Sequence, residues 1–319
     1  MKIEIETPSR LHLGFLNISR DMDRRFGSIG IALEKPRFKL RVCDEFTGIK
    51  FSESIKEDIT SVINEYLDRF RRKTKVRGNF GIEILESIPR HVGLGSGTQL
   101  GMALGLALTK AFNLNMELEE IATLMGRCKN SGAGFYCFSD GGLVIDSGSK
   151  ANGFPKLIFR YKIPENWRFL LVTLKSKRGL YGEAEAKIFS EIDEPIAKKS
   201  SMKIARLVLL KLLPSLLEKD IQSFGEALTR IDSLTGRIFD KFQGGEYMKE
   251  NQDIMDFLID NSYGAGQSSW GPCCYGLILY DEIDKTLKKA KAFLRRKKLK
   301  ADLLVTKARN HGYKLRVID

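Results

Sequence analysis

Histidine and closely paired cysteine are scarce in this chain. Its 319 residues hold three histidines and five cysteines, and no two cysteines stand in a Cys-any-any-Cys pair. A structural zinc site therefore lacks its usual ligand set. The odd number of cysteines (Cys43, Cys128, Cys137, Cys273 and Cys274) argues against a secreted disulfide scaffold. No uncharged apolar run reaches the ~18 residues that suggest a spanning helix. The opening MKIEIETPSRLHLGF alternates and has no apolar leader segment. We expect a soluble, cytoplasmic protein without a membrane partner. Internal repeats, low-complexity tracts and a Pro/Gly/Ser linker are also lacking.

What is present is ample apolar content, 43%, and a net charge of +13 from 53 Lys and Arg against 40 Asp and Glu. The length suits two intimate domains, which we divide as 1–165 and 166–319. The positive excess points to an anionic partner: a phosphorylated metabolite, nucleic acid, or only a heavily charged surface. Its densest run, 285–300, holds nine Lys or Arg and no acid. Leu287, Ala290, Phe293 and Leu294 give that run an inner face and little aromatic interleaving, so it reads as a solvated helix face and not a nucleic-acid site.

Periodicity predicts strands over 1–8, 9–18, 28–43 (interrupted near Pro36), 76–86, 141–147, 157–163 and 167–174. Helices are predicted over 51–71, 97–112, 116–126, 200–217, 219–232 and 248–260. The tail reads strand, helix 283–298, strand, an order that resembles half of a ferredoxin-like unit.

Glycines mark two candidate sites. In HVGLGSGTQL, Gly93, Gly95 and Gly97 alternate before Ser96, Thr98 and Gln99 open a helix. Such a loop brings several N–H groups close to a ligand, and the helix behind adds unpaired amides and the positive end of its dipole. Ser96 or Thr98 can cap the helix or donate to phosphate. The Walker lysine is missing. The competing reading is a packing turn, and Gly101 and Gly105 fit packing. The second cluster, GAGQSSWGP, carries Gln267, Ser268, Ser269 and Trp270; the tryptophan stacks on a planar ligand or fills the seam between domains. Gln243, upstream in FQGGEY, pairs with Gln267 as a neutral amide.

Among charged candidates, Arg10 and His12 share a strand face. Arg24 lies in a turn with Asp21 and Asp23, which clamps a metal–diphosphate or is only a solvated hairpin. Arg127 and Lys129 precede Ser131, and Arg178 follows the buried strand 167–174. His91 donates to a carboxylate, protonates a leaving group, or makes a structural hydrogen bond. Asp21, Asp23, Asp140 and Asp146 are magnesium candidates, and the sequence does not choose among them.

The stretch PRHVGLGSGTQLGMALGLAL resembles the phosphate loop of the GHMP kinase superfamily. Many of those kinases place an aspartate in Ser-Gly-any-Asp after the second helix; here the segment reads Ser131-Gly132-Ala133-Gly134. Together with PSRLHLGFLN, SIGIALEKP, SGAGFYCFSDGG, FQGGEY and GAGQSSWGP, the loop is similar to the β-ribofuranosylaminobenzene 5'-phosphate synthases. Where that family more often shows Arg-Gly-any-Arg, this chain has GRCK, with Lys129 near the expected arginine. The resemblance implies an α+β, two-domain GHMP-kinase-like fold, its N-terminal half like ribosomal protein S5 domain 2 and its C-terminal half ferredoxin-like. It implies a decarboxylating synthase of methanopterin-type pterin biosynthesis, archaeal in type. That enzyme joins 5-phosphoribosyl 1-diphosphate to 4-aminobenzoate with loss of CO2 and diphosphate, uses Mg2+ and not ATP, and forms a homodimer. On that reading, residues 93–99 hold the diphosphate, and Arg10, Arg127, Lys129 and Arg178 hold the anionic ends. Gln267, Ser268, Ser269 and Trp270 line the acceptor side, and His91 and Arg24 steer the carboxylate. The alternative is a small-molecule kinase of the same superfamily using ATP.

Overall fold

A computed structural model describes residues 2–53, 55, 59–151, 153–175, 179 and 183–318. The elements in chain order are β1 (Lys2–Asn17), β2 (Gly27–Cys43), β3 (Gly48–Phe51), α1 (Thr60–Thr74), β4 (Gly81–Glu86), α2 (Ser96–Ala111), α3 (Leu118–Leu124), α4 (Ala133–Ser139), β5 (Leu143–Asp146), β6 (Leu157–Tyr161) and β7 (Trp167–Leu174). There follow α5 (Glu183–Ser190), α6 (Glu194–Leu207), α7 (Leu213–Glu218), α8 (Ile221–Gln243), α9 (Gln252–Asn261), β8 (Gly264–Gln267), β9 (Cys273–Leu279), α10 (Ile283–Arg296), β10 (Ala301–Thr306) and β11 (Lys314–Ile318).

The long antiparallel pair β1–β2 is the spine of the first sheet. It is in register from Lys2 opposite Cys43 to Asn17 opposite Gly27, with irregularities at Thr7/Ser9, His12/Gly14 and Phe15/Asn17. The two strands predicted over 1–8 and 9–18 are thus one strand, irregular at Pro8 instead of broken there. Pro36 interrupts β2 only as a bulge, because residues 34–37 lie between the pairs Thr7–Phe38 and Ser9–Leu33. The sheet runs β11-β1-β2-β4-β3, with β5 beside β2 and β6 beside β5.

The second sheet runs β10-β7-β9-β8 and is antiparallel throughout. Its strand β7 is the buried WRFLLVTL segment. One continuous core joins the halves, extending from Ile3, Ile31 and Leu104 to Trp167, Phe224, Leu228 and Tyr275. The chain also returns: β11 pairs with β1 from Lys2–Ile318 to Glu6–Lys314. By pairing, the final strand therefore belongs to the first half, and we propose the division near 165 only for the segment before it.

Helix α2 is buried from Gln99 to Thr109. Gly101 and Gly105 are the packing glycines expected: a Cβ on Gly105 would stand 2.5 Å from Ile121 Cγ2, and one on Gly101 3.1 Å from the Tyr66 ring. Helix α6 continues into α7 through a π turn at Val208–Leu212. Helix α8 extends past the predicted end at 232. The Asp220 side chain accepts from Ser223 N–H at 3.1 Å at its start, and Gly244 ends it with φ +79°. Gly225 lets α8 lie directly on β8, since a Cβ there would be 2.1 Å from the Tyr263 carbonyl oxygen.

Candidate active site

The start of α2 is uncapped. Gly95 occupies the cap position in the left-handed region, φ +74°, and no side chain bonds the first turn. The amides of Thr98 and Gln99 both donate to the Gly95 carbonyl, each at 3.1 Å. The amides of Gly95, Ser96 and Gly97 have no partner among the described residues. Three bare N–H groups at the positive end of a sixteen-residue helix make an anion site of backbone.

Two arginines flank this turn. Arg10 on β1 lies against Gly95, whose Cβ would be 3.4 Å from Arg10 Nε, and its Nη1 reaches the Gly93 carbonyl at 3.4 Å. Arg127 lies against Gly97, whose Cβ would be 3.3 Å from its Nη1. Tyr66 holds Arg127 in place: its hydroxyl accepts from Arg127 Nη2 and donates to the Gly97 carbonyl at 2.8 Å. Burial raises the Tyr66 phenol above its ordinary value, so it remains a neutral donor. The Nε of both arginines is buried without a partner. Desolvation lowers the Arg10 pKa, as it must for a guanidinium held beneath a loop with no counter-ion bonded to it.

The loop and the GAGQSSWGP turn meet directly. Ser268 Oγ donates to the Gly93 carbonyl at 2.7 Å and accepts from His12 N–H at 3.0 Å. Cys273 N–H donates to the Val92 carbonyl at 3.2 Å. Gly93 is glycine of necessity, with φ +88° and a Cβ position 2.1 Å from the Ser268 carbonyl oxygen. His91 precedes this contact with φ +58°, and its carbonyl accepts from Gly179 N–H at 2.6 Å. Arg178, expected to be catalytic, lies outside the described residues.

Several expected ligand contacts are internal instead. The Gln267 side chain is saturated: Oε1 accepts from Met248 N–H and Asn251 Nδ2, each at 2.9 Å, and Nε2 donates to the Ser269 carbonyl at 3.2 Å and Gln243 Oε1 at 3.3 Å. Gln243 in turn donates to the Glu246 carbonyl at 2.8 Å. Both glutamines therefore position the turn. Ser268 is fully buried and joins the loops, as described above. Trp270 packs edge-on against Phe239 within an aromatic cluster, and its indole N–H donates to Glu185 at 3.0 Å, so it fills the seam between halves. Gln99 is fully buried, donating to the Gly134 carbonyl at 2.8 Å. Arg24 is bound to Ser147 Oγ and the Gly148 carbonyl, both at 3.2 Å, which removes it from the loop. Lys129 is exposed.

The magnesium candidates are not brought together. Among the described residues no group of three or more His, Cys, Asp or Glu could hold a metal ion. Asp23 pairs with Lys150 at 2.6 Å; Asp21 accepts from the Ser19 hydroxyl and lies 3.6 Å from Lys198. Asp140 ends α4 and accepts from the Ser139 hydroxyl. Asp146 organises the Ser131-to-Gly134 segment, accepting from Ser28 Oγ and from the amides of Ser28, Gly132 and Gly148. Burial pushes its carboxyl up to about 6 against those donors. These residues do not form a magnesium cage. Burial also pushes the Cys128 thiol up to about 12, so no thiolate nucleophile stands beside Arg127.

A small cavity of about 30 Å³ is lined by His12, Phe15, Asp232, Phe239, Ser269 and Trp270 among others. Burial, then the charge of Arg10, hold the His12 imidazole well below its ordinary pKa. His12 was legible as the neighbour of Arg10 on one strand face. Asp232 also lines this cavity, an acid between Ile231 and Leu234 on the apolar side of a helix that the sequence reading did not single out.

No helix among the described residues is long and apolar enough to cross a membrane. Residues 59–141 match the GHMP kinases N terminal domain model and residues 212–299 the GHMP kinases C terminal model. The chain is 30% identical to the beta-ribofuranosylphenol 5'-phosphate synthase of Archaeoglobus fulgidus, over 99% of this chain and all of that protein. It is 31% identical to the protein of the same name from Methanocaldococcus jannaschii, over 98% and 99%. The fold resembles mevalonate diphosphate decarboxylase from Staphylococcus aureus (TM-score 0.70, 13% identity, 99% and 98% covered) and Lactococcus lactis galactokinase complexed with galactose (0.67, 13%, 98% and 95%). The chain belongs to the GHMP superfamily and, within it, to the enzyme family of its beta-ribofuranosylphenol 5'-phosphate synthase relatives.

Proposed function

We propose that the protein condenses 5-phosphoribosyl 1-diphosphate with a para-substituted benzoate, releasing CO2 and diphosphate. The observation that carries this reading is the bare first turn of α2 between two arginines, each with an unpartnered buried Nε. That arrangement suits a polyanion with several oxygens. Gly95, Ser96 and Gly97 amides bind the diphosphate, and Arg10 and Arg127 take its remaining oxygens in charge-assisted hydrogen bonds. As the ribosyl C1–O bond breaks, negative charge grows on the leaving diphosphate, and these fixed donors stabilise it without reorganising. Magnesium enters as part of the substrate, bound to diphosphate oxygens. The relatives' names describe a ribofuranosylphenol product, which favours 4-hydroxybenzoate over the 4-aminobenzoate expected from sequence.

The kinase alternative is disfavoured at Gly134, which has no carboxylate and where a Cβ would already crowd Thr98 Cγ2 at 3.1 Å. The test is release of labelled CO2 from carboxyl-labelled 4-hydroxybenzoate and 4-aminobenzoate. We expect release that requires phosphoribosyl diphosphate and magnesium and is not supported by ATP. No release with either acid, together with ADP formation from ATP, overturns the reading. We also propose a homodimer, checked by sedimentation equilibrium.

A further inference from the structure

The outer face of α6 and α7 is apolar where a surface helix ordinarily turns polar residues to water. The two helices run on through the π turn Val208–Leu212 as one rod from Glu194 to Glu218. Ala197, Ile204, Val208, Leu212 and Leu216 bury its inner face. Met202, Leu209, Leu210 and Leu217 point outward, 64%, 65%, 67% and 51% exposed, with the half-buried Leu213 between them. Leu210, Leu209 and Leu217 are the three most exposed leucines among the described residues. Met202 and Leu217 are fifteen positions apart, slightly more than the ~14.4 residues of four α turns. The wider π turn takes up the excess and keeps both ends in one stripe. A contiguous apolar stripe of this kind marks an interaction surface.

We propose that this stripe is the contact between two copies of the chain, paired antiparallel about a twofold axis between Leu209 and Leu210. The inference gives a face to the homodimer proposed above and does not depend on the synthase reading. What singles out a second copy is that the stripe is its own complement. In an antiparallel pair centred there, Leu209 meets the partner's Leu210. Met202 meets the partner's Leu217, because the two lie equally far from the axis. Arg206 falls opposite the partner's Leu213, where its aliphatic stem covers the leucine and its charge reaches water. Such an isologous contact closes at two copies. The charges agree with it. Lys198, Lys199, Lys203 and Arg206 occupy one end of the stripe with no acid among them, and Glu218 and Asp220 stand at the other. Antiparallel pairing sets Glu218 opposite Ser201, on the flank between the partner's Lys199 and Lys203. Parallel pairing would set the bases against their own copies. Lys199, Lys203 and Glu218 are exposed and have no ion pair among the described residues. A rod ~37 Å long and ~10 Å wide offers on the order of 400 Å², about half the ~800 Å² per partner of a standard interface, which suits a dimer that separates on dilution.

The test is sedimentation equilibrium of the full chain over a hundredfold concentration range, beside the double variant Leu209→Glu with Leu210→Glu. Both side chains point to solvent, and circular dichroism checks that the variant is folded. We expect a monomer–dimer equilibrium in the unsubstituted protein and a dimer Kd raised at least 100-fold in the variant. Charge reversal separates the antiparallel pair from any other use of the same leucines. Glu218→Lys and Lys203→Glu should each raise the dimer Kd at least threefold, and the two together should bring it back toward the unsubstituted value. If the unsubstituted protein is a dimer and the leucine variant is equally dimeric, this interface falls and the homodimer stands. If the two charge reversals add instead of cancelling, the antiparallel pairing falls. If the unsubstituted protein is a monomer throughout, the homodimer falls and takes the interface with it. Cosedimentation of that monomer with anionic phospholipid vesicles, lost in the leucine variant, would overturn the proposal in favour of a lipid surface.

Discussion

A guanidinium whose Nε–H is buried without an acceptor is costly by about 1–3 kcal/mol, and two such groups flank one helix start. An arriving phosphate relieves both. Replacing Arg127 by Met should weaken diphosphate binding by about 2–3 kcal/mol, roughly 30- to 150-fold in Kd, measured by calorimetry. Thermal stability should change little by comparison, because the Tyr66 hydroxyl keeps its bond to Gly97. Asp146 offers a pH signature. Its carboxyl is raised from 3.8 to about 6 in the folded protein. The native state therefore binds more protons than the unfolded chain between those values. The contribution is fully present below pH 4 and is lost as pH rises through 6, by at most about 3 kcal/mol. Urea midpoints of the protein and of Asp146→Asn, compared from pH 4 to pH 7, should converge in slope only above 6. At this scale the sequence marks the glycine turn and offers Arg10 and Arg127 as charged candidates, and the fold sets both against that turn; that the turn holds an anion is our proposal. The internal hydrogen bonds of Gln267 and Ser268 are not legible, since a sequence does not say whether an amide or hydroxyl is already satisfied by a distant backbone.

At the scale of elements, the phosphate loop is fixed by contacts on both sides. Gly93 meets the Ser268 backbone and Gly97 only the tip of Arg127. Gly93→Ala should thus cost on the order of 3 kcal/mol or more through strain at a positive φ and a backbone clash. Gly97→Ala should stay within about 1 kcal/mol in stability while displacing Arg127 and weakening diphosphate binding. Chemical denaturation of the pair separates the two. If both variants are equally stable, the loop is not clamped as described. Elements with strong periodicity, such as Trp167–Leu174 and Ile283–Arg296, were readable. Several short ones were not, among them three with a visible reason. Gly264–Gln267 has three small residues and no alternation, Ala133–Ser139 opens without a capping side chain, and Lys314–Ile318 is a charged pentapeptide that becomes a strand only because β1 offers it an edge.

Across the whole molecule, the last strand ties the C-terminus to the first sheet, so the two halves are not freely separable. Removing residues 314–319 exposes the edge of β1. With five residue pairs lost and about 1 kcal/mol net per backbone hydrogen bond, the unfolding free energy from denaturant titration should fall by roughly 3–5 kcal/mol. Light scattering should show self-association through the bared edge. The two-domain architecture was legible from the order of motifs, whereas this return was not, because pairing between residues three hundred positions apart leaves no local pattern. The account as a whole depends on where the diphosphate sits. The most direct measurement is the amide 15N–1H spectrum of the protein titrated with magnesium phosphoribosyl diphosphate. The account predicts large downfield proton shifts at Gly95, Ser96 and Gly97, with Thr98 and Gln99, already bonded to the Gly95 carbonyl, moving far less. Saturable binding that leaves those three amides in place would contradict it.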